Sequence, residues 1–319
     1  MQVWYQQLRL QLMLAALLVA VWVFLFTPSQ DTQWIFFLIM IIATGVPHGS
    51  LDFYIEQSQF TLAKKSFSIG RFFLRYLLNM FVYAIIWFWM PSIALLIFIF
   101  LTAYHFGQID WPFHRPGLIN TLLFSLQGLF LIIYIITIQL QETAPVLDLL
   151  TNDIFPAGYW QQTGLIYSTI AVVGLAVLLI LVPLYEYSKG TSPIKIAGWW
   201  LQMVFWCLFF YKMPLYIGFA FYFGCWHSLL SFDLIRQQLN LPPTTAGWWQ
   251  LIQKAIPFSL AALGGIAGLL YFFSANWHLK TSMGYIFMGI AILTLPHLQV
   301  FSRLVQFVSA NTSSKKIRE

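Results

Sequence analysis

The run Leu118–Leu140, LINTLLFSLQGLFLIIYIITIQL, has 23 residues and no charged side chain. As an α-helix that rises about 1.5 Å per residue it would be about 34 Å long, and the hydrocarbon core of a bilayer is about 30 Å thick. Its apolar residues are continuous, without the polar alternation of a strand in a membrane β-barrel. The run therefore predicts a transmembrane α-helix.

The composition of the whole chain agrees with this interpretation. Of its 319 residues, 60% are apolar, 19% are aromatic and only 8% are charged, and the mean hydropathy is +0.77. A soluble domain carries about 25% charged residues, which help to cover a surface that faces water. The composition excludes a soluble globular protein and an intrinsically disordered one.

Ten apolar runs of this kind follow one another along the chain. They predict an all-α, polytopic membrane bundle of eight to ten transmembrane helices, and ten is the number assigned. No polar linker divides the chain, so residues 1–319 are expected to form a single transmembrane domain. The runs are Leu8–Thr27, Trp34–Tyr54, Ile69–Met90, Ser92–Gln108, Leu118–Leu140, Gly164–Tyr185, Ile196–Tyr211, Leu215–Ile235, Ile256–Phe273 and Met283–Phe307.

The basic residues predict the orientation of these helices. If the N-terminus lies in the cytoplasm and ten helices alternate, 14 of the 16 Lys and Arg residues fall inside and only Lys212 and Lys280 fall outside. Basic residues prefer the cytoplasmic side of a membrane. The loop Gln141–Thr163 has no Lys or Arg and is placed outside. We expect a multi-pass protein of the inner (plasma) membrane with both termini in the cytoplasm.

The net charge of +6 does not predict a nucleic-acid partner. The basic residues flank apolar helices, so the lipid bilayer is the expected surrounding and no basic patch lies in a polar domain. The phosphate loop, GxGxxG, HExxH and GxSxG are absent, which argues against nucleotide-driven transport and the commonest membrane proteases. Cys207 and Cys225 lie in apolar runs without metal-binding spacing and predict packing roles.

Four of the six histidines lie inside apolar runs: His48, His105, His227 and His297. Their runs are the second, fourth, eighth and tenth, which all cross from the outside inwards in the predicted topology. Each histidine comes about two-thirds of the way along its run or a little deeper. All four are therefore expected at a similar depth in the cytoplasmic half of the bilayer.

A single membrane histidine is most often a hydrogen-bonded packing residue. Four at one depth are a stronger pattern, because ionisable side chains are costly inside a membrane and usually face a functional interior. The pattern predicts a shared metal centre. Imidazole binds iron, copper, zinc and nickel, so the ligand type does not select the metal. The other two histidines, His114 and His278, fall in predicted loops.

Polar residues beside these histidines are expected to orient the imidazole rings. Asp52 lies four residues after the first histidine, on the same helix face, and Asp110 lies five residues after the second, a poorer spacing. Each aspartate is alternatively a helix-end carboxylate at the water boundary. Ser231 lies four residues after the third histidine and shares its face, whereas Ser228 is expected to bond its own backbone. Such partners usually accept the second ring N–H of a ligating histidine.

Four short motifs follow one another along the chain: Gly45–Asp52 (GVPHGSLD), Tyr104–Asp110 (YHFGQID), Tyr222–Ser228 (YFGCWHS) and Leu295–His297 (LPH). This ordered set resembles the Brp/Blh family of membrane β-carotene dioxygenases, which are linked to bacterial rhodopsins. The resemblance covers most of the chain, from about the second helix onward. It implies a non-haem Fe(2+) and the cleavage by O2 of the central double bond of β-carotene, which gives two retinal molecules.

The resemblance also implies which residues hold the iron. His48, His105 and His227 are the implied catalytic and metal-binding residues. In the family pattern the third motif has a second histidine one turn after the first, and here Ser231 occupies that position. The remaining ligand is then His297, a water molecule, or no group at all, in which case three histidines hold the iron.

β-Carotene is an apolar rod comparable in length to the membrane core, so the site is expected to be reached sideways from the bilayer. Aromatic residues near the histidines are candidates for the tunnel wall, and ordinary packing is the alternative for each of them. The candidates are Phe53, Phe106, Tyr222, Phe223 and Trp226.

Three other functions fit the same histidines. A haem-binding electron carrier would use paired histidines on different helices. A carotenoid or retinal carrier without catalysis would bind pigment without consuming oxygen, and the departure at Ser231 keeps this alternative open. A transporter is less well supported, since few acidic residues lie within the membrane and no coupling motif accompanies Asp52.

Overall fold

Residues 2–152, 154–273 and 279–316 are described in a computed structural model, where they form eleven helices and no β-strand. The helices are α1 (Gln2–Phe26), α2 (Gln30–Leu62), α3 (Ile69–Trp89), α4 (Pro91–Asp110), α5 (Leu118–Ile138), α6 (Leu140–Leu150), α7 (Ala157–Ser188), α8 (Pro193–Lys212), α9 (Leu215–Gln238), α10 (Thr245–Phe273) and α11 (Leu279–Lys316). His114 is exposed between α4 and α5, and His278 lies outside the described residues.

The prediction of a polytopic helical membrane bundle is confirmed, since ten of these helices are long and apolar enough to cross a membrane. The two shortest predicted linkers are real boundaries, because α4 begins at Pro91 and α9 begins directly after Pro214. Proline suits the start of a helix, where its missing N–H would have no helical partner. Helix α2 extends beyond the predicted Trp34–Tyr54, since its polar ends continue past the apolar run.

The predicted loop Gln141–Thr163 is partly helical, which corrects the sequence interpretation. Helix α6 lies within it and packs against α11, and α7 already begins at Ala157. The 11 residues of α6 are too few to cross a membrane. Acidic residues and Pro145 interrupt the apolar run, so the sequence interpretation did not assign a helix here. The buried positions nevertheless recur at helical spacing, which is an amphipathic pattern. They are Leu140, Thr143, Ala144, Val146, Leu147 and Leu150.

The three most buried spans each carry a candidate ligand. In the apolar window of α9, 83% of the residues are buried, compared with 56% in α11 and 44% in α4. The corresponding windows of α3, α7 and α10 are only 17% buried. Helices α9, α11 and α4 therefore form the centre of the bundle, and α3, α7 and α10 lie at its periphery.

Two glycines allow α4 and α5 to cross with their backbones in contact. A Cβ atom at Gly107 would lie 1.8 Å from the carbonyl oxygen of Phe124, and one at Gly128 would lie 1.9 Å from that of Ala103. Neither clash could be relieved by a side-chain rotation, because both partners are backbone atoms. This crossing fixes the segment of α4 between Ala103 and Gly107, which includes His105.

Helices α2 and α9 each contain a π-helical turn near a histidine. The first turn is Ile41–Gly45, three residues before His48, and the second is Phe221–His227, which ends on a histidine. The two turns pack against each other. A π-turn inserts a residue into the helical repeat and rotates the side chains that follow, a feature often found at functional sites.

Ten spans would put the two ends of the chain on one side of the membrane, and the basic residues predict that this side faces the cytoplasm. A reporter fused to the C-terminus should be active only in the cytoplasm, and a reporter inserted between α6 and α7 only outside. The two activities are measured in cells that express each fusion. A C-terminal reporter found outside would contradict the ten-span topology.

Candidate metal centre

The four histidines of the apolar runs meet at one place inside the bundle. His48 lies on α2, His105 on α4, His227 on α9 and His297 on α11, and all four side chains are buried. The contacting pairs of ring centroids are 4.7 to 6.3 Å apart. The structure therefore brings all four predicted ligand side chains together from four separate helices.

His105 lies at the centre of this cluster. Its Nε2 is 3.2 Å from Nε2 of His227 and 3.1 Å from Nε2 of His297. Ligand nitrogens of His48, His105 and His297 all lie within 4.8 Å of one another. His227 is connected to this trio through its contact with His105. The sequence interpretation treated His297 as one of the alternatives for the remaining ligand. The structure places it in the most compact group of ligand nitrogens, with His48 and His105.

Hydrogen bonds assign the tautomers of two of the four rings. Nδ1 of His48 contacts the carbonyl oxygen of Gly45 and lies 3.1 Å from the hydroxyl oxygen of Ser228. A carbonyl oxygen only accepts, so Nδ1 carries the proton and Nε2 keeps its lone pair. In the same way, Nδ1 of His297 donates to the carboxylate of Asp52 over 2.8 Å. Both rings therefore present an unprotonated Nε2.

The spacing of the converging nitrogens fits ligands around one metal ion better than it fits hydrogen bonds between the rings. Two nitrogens bound about 2.1 Å from one ion are about 3.0 Å apart at right angles and about 3.4 Å apart in a tetrahedron. The two Nε2 distances from His105, 3.1 and 3.2 Å, lie within this range. The Nδ1 atoms of His105 and His227 are buried without a hydrogen-bond partner in the described residues. The donor set fits a metal that binds imidazole.

The orienting carboxylate serves a different histidine from the one expected. The sequence paired Asp52 with His48, but its Oδ1 accepts from His297 and its Oδ2 accepts from the hydroxyl of Tyr76 over 2.9 Å. The i, i+4 geometry is lost because α2 is interrupted by a turn at Ser50 and Leu51. Sequence reasoning missed Tyr76, which is 24 residues away on α3 and belongs to no motif.

Among the described residues Asp110 contacts no imidazole, which corrects the expectation that it orients one. Its carboxylate accepts from the hydroxyl of Tyr222 and, over 2.7 Å, from the indole N–H of Trp226. Five residues separate Asp110 from His105, so the two side chains leave the helix in different directions. The carboxylate instead ties the end of α4 to α9, next to His227.

Both serines on α9 bond their own backbone, as expected for Ser228 but not for Ser231. Ser231 is fully buried and its hydroxyl donates to the carbonyl of His227 over 2.8 Å, an ordinary bond to its own helix. The hydroxyl of Ser228 donates to the carbonyl of Phe223 over 2.7 Å and lies beside Nδ1 of His48. Ser228 therefore supports a candidate ligand.

A basic residue of α1 supports the same end of α4. The guanidinium of Arg9 donates to the carbonyl oxygens of Ile109 over 2.7 Å and of Asp110 over 3.1 Å. It also lies 5.6 Å from the ring centroid of Trp226. The last carbonyls of a helix have no helical partner and are favourable sites for a cation. The isolated position of Arg9 in an apolar run was the only indication in the sequence.

An apolar cavity of about 370 Å³ adjoins the histidines. Three of them line it, His48, His105 and His297, and hydrophobic side chains of α3, α4, α5, α6, α10 and α11 make up most of the remaining wall. A cavity of this kind is suited to an apolar ligand, with a few polar groups concentrated at one point.

Three of the five aromatic residues suggested for a tunnel line this cavity: Phe53, Phe106 and Phe223. The other two, Tyr222 and Trp226, are absent from its wall, which corrects the expectation for them. Their polar atoms bond to Asp110, and both side chains are fully buried among other aromatic rings. Their position in the sequence, close to His227, did not indicate that they bond to Asp110.

The comparison with known proteins agrees with the site. The sequence profile of the family described as "Beta-carotene 15,15'-dioxygenase" matches residues 39–305. The chain belongs to this family. A relative named Beta-carotene 15,15'-dioxygenase, from an uncultured marine bacterium (66A03), is 28% identical over 281 residues, which cover 87% of this chain and 94% of the relative. No solved structure matches the chain.

Family membership confirms two predictions, the resemblance itself and the enzyme class. The protein is a dioxygenase of the β-carotene 15,15'-dioxygenase family. All four buried histidines lie within the matched region, whereas the whole of α1, including Arg9, precedes it. The support that α1 gives to α4 is thus a feature of this chain outside the matched region.

The Asp52→Asn variant tests the orienting role of this carboxylate. The amide no longer carries the charge that accepts the N–H of His297, so affinity for the metal should fall about tenfold or more. Tyr76→Phe, which removes only one hydrogen bond to Asp52, should have a smaller effect. Affinity is measured by metal titration of the purified protein.

Asp110→Asn is the matched control, since Asp110 is equally buried and contacts no imidazole. It should retain more of the metal affinity than Asp52→Asn. Equal losses in the two variants would mean that general packing, and not orientation of His297, explains the effect.

Proposed function

We propose that this protein uses Fe(2+) and O2 to cleave the central double bond of β-carotene, which gives two molecules of all-trans-retinal. The observation that carries the proposal is the coincidence of two features at one place. An apolar cavity large enough for part of a rod-shaped hydrocarbon runs past three converging imidazoles. The family description names the same substrate and the same bond.

The proposed iron ligands are His48, His105 and His297, with His227 as the fourth imidazole. Imidazole nitrogens suit iron, and neutral ligands leave its positive charge undiminished. Bound iron would supply the redox chemistry with O2. The chain itself would hold His48 and His297 in the ligating tautomer, through Gly45 and Asp52 respectively. These contacts keep both lone pairs available without a rearrangement when the metal binds.

The proposed reaction balances without another reductant or oxidant. The central C=C bond is broken, each of its carbons gains one oxygen atom, and the four electrons that O2 accepts come from the alkene. Both atoms of O2 therefore end up in the two aldehyde groups. The contribution of the cavity is to position one double bond and to exclude water. Phe106 and Phe223 suit this role, since both line the cavity and have ring contacts with His227.

The geometry argues against a haem held between His105 and either His227 or His297. Two axial nitrogens on opposite sides of one iron are about 4 Å apart, with the porphyrin plane between them. The Nε2 atoms of His105 and its two neighbours are closer than this, at 3.1 and 3.2 Å, and their rings contact each other. A carrier without catalysis does not agree with membership of the dioxygenase family.

We further propose the inner (plasma) membrane as the location and a retinal-binding rhodopsin as the consumer of the product. Both proposals rest on the charge distribution and the resemblance to rhodopsin-linked enzymes. The carotenoid dissolves in the bilayer, so an enzyme within the bilayer meets its substrate without a soluble carrier.

Expression in cells that accumulate β-carotene tests the reaction. Pigment should disappear and retinal should appear in a ratio of two retinal molecules per carotene. With ¹⁸O2, both retinal molecules should carry the label, measured before the aldehydes exchange with water. The His105→Ala variant should retain membrane insertion but lose iron and product. Pigment bound without retinal formation would contradict the proposed reaction.

A double variant tests whether His297 replaces the ligand that Ser231 cannot supply. His297→Ala should lower iron affinity at least tenfold, about 1.4 kcal/mol or more. Ser231→His should restore part of that loss, since position 231 lies one helical turn after His227. Ser231→Ala, the control, should retain iron because its hydroxyl bonds only to the backbone in the described residues. Additive effects in the double variant would refute the replacement.

A further inference from the structure

The two ends of the apolar cavity differ in their exposure. At one end the wall is formed by Ile135, Val146, Leu147 and Leu150, which are all buried, and we call these four residues the closed end. At the other end the wall includes Leu77, which is 58% exposed, and Ala261, which is also exposed. These two residues lie on the peripheral helices α3 and α10, and we call them the open end.

The open end lies directly beside a group of aromatic rings. Phe73 and Phe258 join α3 to α10, with ring centroids 6.0 Å apart, and Phe53 lies 5.8 and 5.6 Å from them. Leu77 and Ala261 follow Phe73 and Phe258 by one helical turn. The two helices therefore touch at the rings and leave the cavity accessible from the side one turn further on. A long apolar molecule would extend through this opening into the bilayer.

Two helices give the same rise from the histidines to the first residue of each helix that lines the cavity, and both helices pack against α6, which carries most of the closed end. Along α4, ten residues separate His105 from Leu95, the first residue of that helix to line the cavity. Along α11, ten residues separate His297 from Phe287 in the same direction. Ten residues of α-helix rise about 15 Å. A rod comparable in length to the hydrocarbon core, about 30 Å, would have its midpoint about 15 Å from either end.

We propose that the closed end determines which double bond is cleaved, by stopping one ring of the substrate at a fixed distance from the histidines. This inference rests on the proposed carotene cleavage and adds the means by which the central bond is selected. The opposite ring contributes little to the selection, because it lies toward the open end and the lipid.

The closed end also favours some substrate end rings over others. Thr143 lines the cavity there, but its hydroxyl donates to the carbonyls of Ile136 and Gln139, at 3.2 and 3.1 Å, and its neighbours are aliphatic. The oxygen of Thr143 can still accept one hydrogen bond, but the four residues of the closed end carry no polar side-chain atom that could satisfy the rest of a hydroxyl group. Burial of a hydroxylated ring there is therefore less favourable than burial of an unsubstituted hydrocarbon ring.

Variants of the closed end test the inference with an asymmetric substrate, a carotene-derived aldehyde that keeps one ring and the central double bond. Leu150→Phe shortens the distance from the closed end to the histidines, and Leu147→Ala lengthens it. The ring-bearing product should become shorter in the first variant and longer in the second. The ratio of shifted product to retinal should change about tenfold, which corresponds to a misfit of about 1.4 kcal/mol.

The matched controls are Leu140→Phe and Leu140→Ala. Leu140 is on the same helix and as buried as Leu147, at 7% exposure each, but it does not line the cavity. Both controls should yield retinal alone. Retinal alone from Leu147→Ala and from Leu150→Phe would overturn the inference, as would loss of all cleavage in a Leu150→Phe protein that retains iron. If Leu150→Phe does not reach the membrane, Leu147→Ala decides. Absence of cleavage in the wild-type protein would instead overturn the proposed function.

Discussion

Four imidazole rings share the interior of a bundle whose other central side chains are largely apolar, and their nitrogens must find partners there. Unpartnered polar atoms are costly in an environment without water. His48 and His297 each donate a hydrogen bond from Nδ1, to Gly45 and Asp52 respectively, and the Nε2 of each ring remains available at the centre of the cluster. The irregular parts of the central helices, two π-turns and the interruption at Ser50, lie next to these rings. These three departures from regular helix therefore coincide with the four rings, whereas a further π-turn, Trp160–Gly164, lies on the peripheral α7.

The distance between the ligands on α4 and α9 is controlled by a second set of bonds. Asp110 accepts from Tyr222 and Trp226, and the second of these directly precedes His227. Arg9 holds the last carbonyls of α4 and lies over Trp226, so α1 takes part in the same arrangement. Several hydrogen bonds and contacts with charged groups converge on the same few side chains, so a network of this kind is rigid. It allows α4 and α9 to keep their spacing before a metal binds.

The sequence predicted the ten spans because apolar length and proline positions are local properties, as Pro91 illustrates. It also indicated the histidines, since equal depth on four spans follows from helical rise alone. It did not predict the partner of Asp52, because a two-residue turn redirects that side chain toward His297. It missed α6, which is shorter than a span and contains acidic residues. Contacts between distant helices, such as that of Tyr76, leave no pattern in the order of residues.

Lipid and cavity wall are equally apolar, so moving a carotene from the bilayer into the protein gains little from the hydrophobic effect. Selection must then come from shape and from dispersion contacts, which are lost wherever a gap remains. The open end at Leu77 and Ala261 offers few such contacts beyond those of lipid itself. The closed end around Leu147 and Leu150 surrounds its occupant, and only there does a misfit of one carbon change the contact energy. This enzyme receives its substrate from a bilayer that is as apolar as its own cavity. The position of the substrate must therefore be set by contacts at the closed end of the cavity.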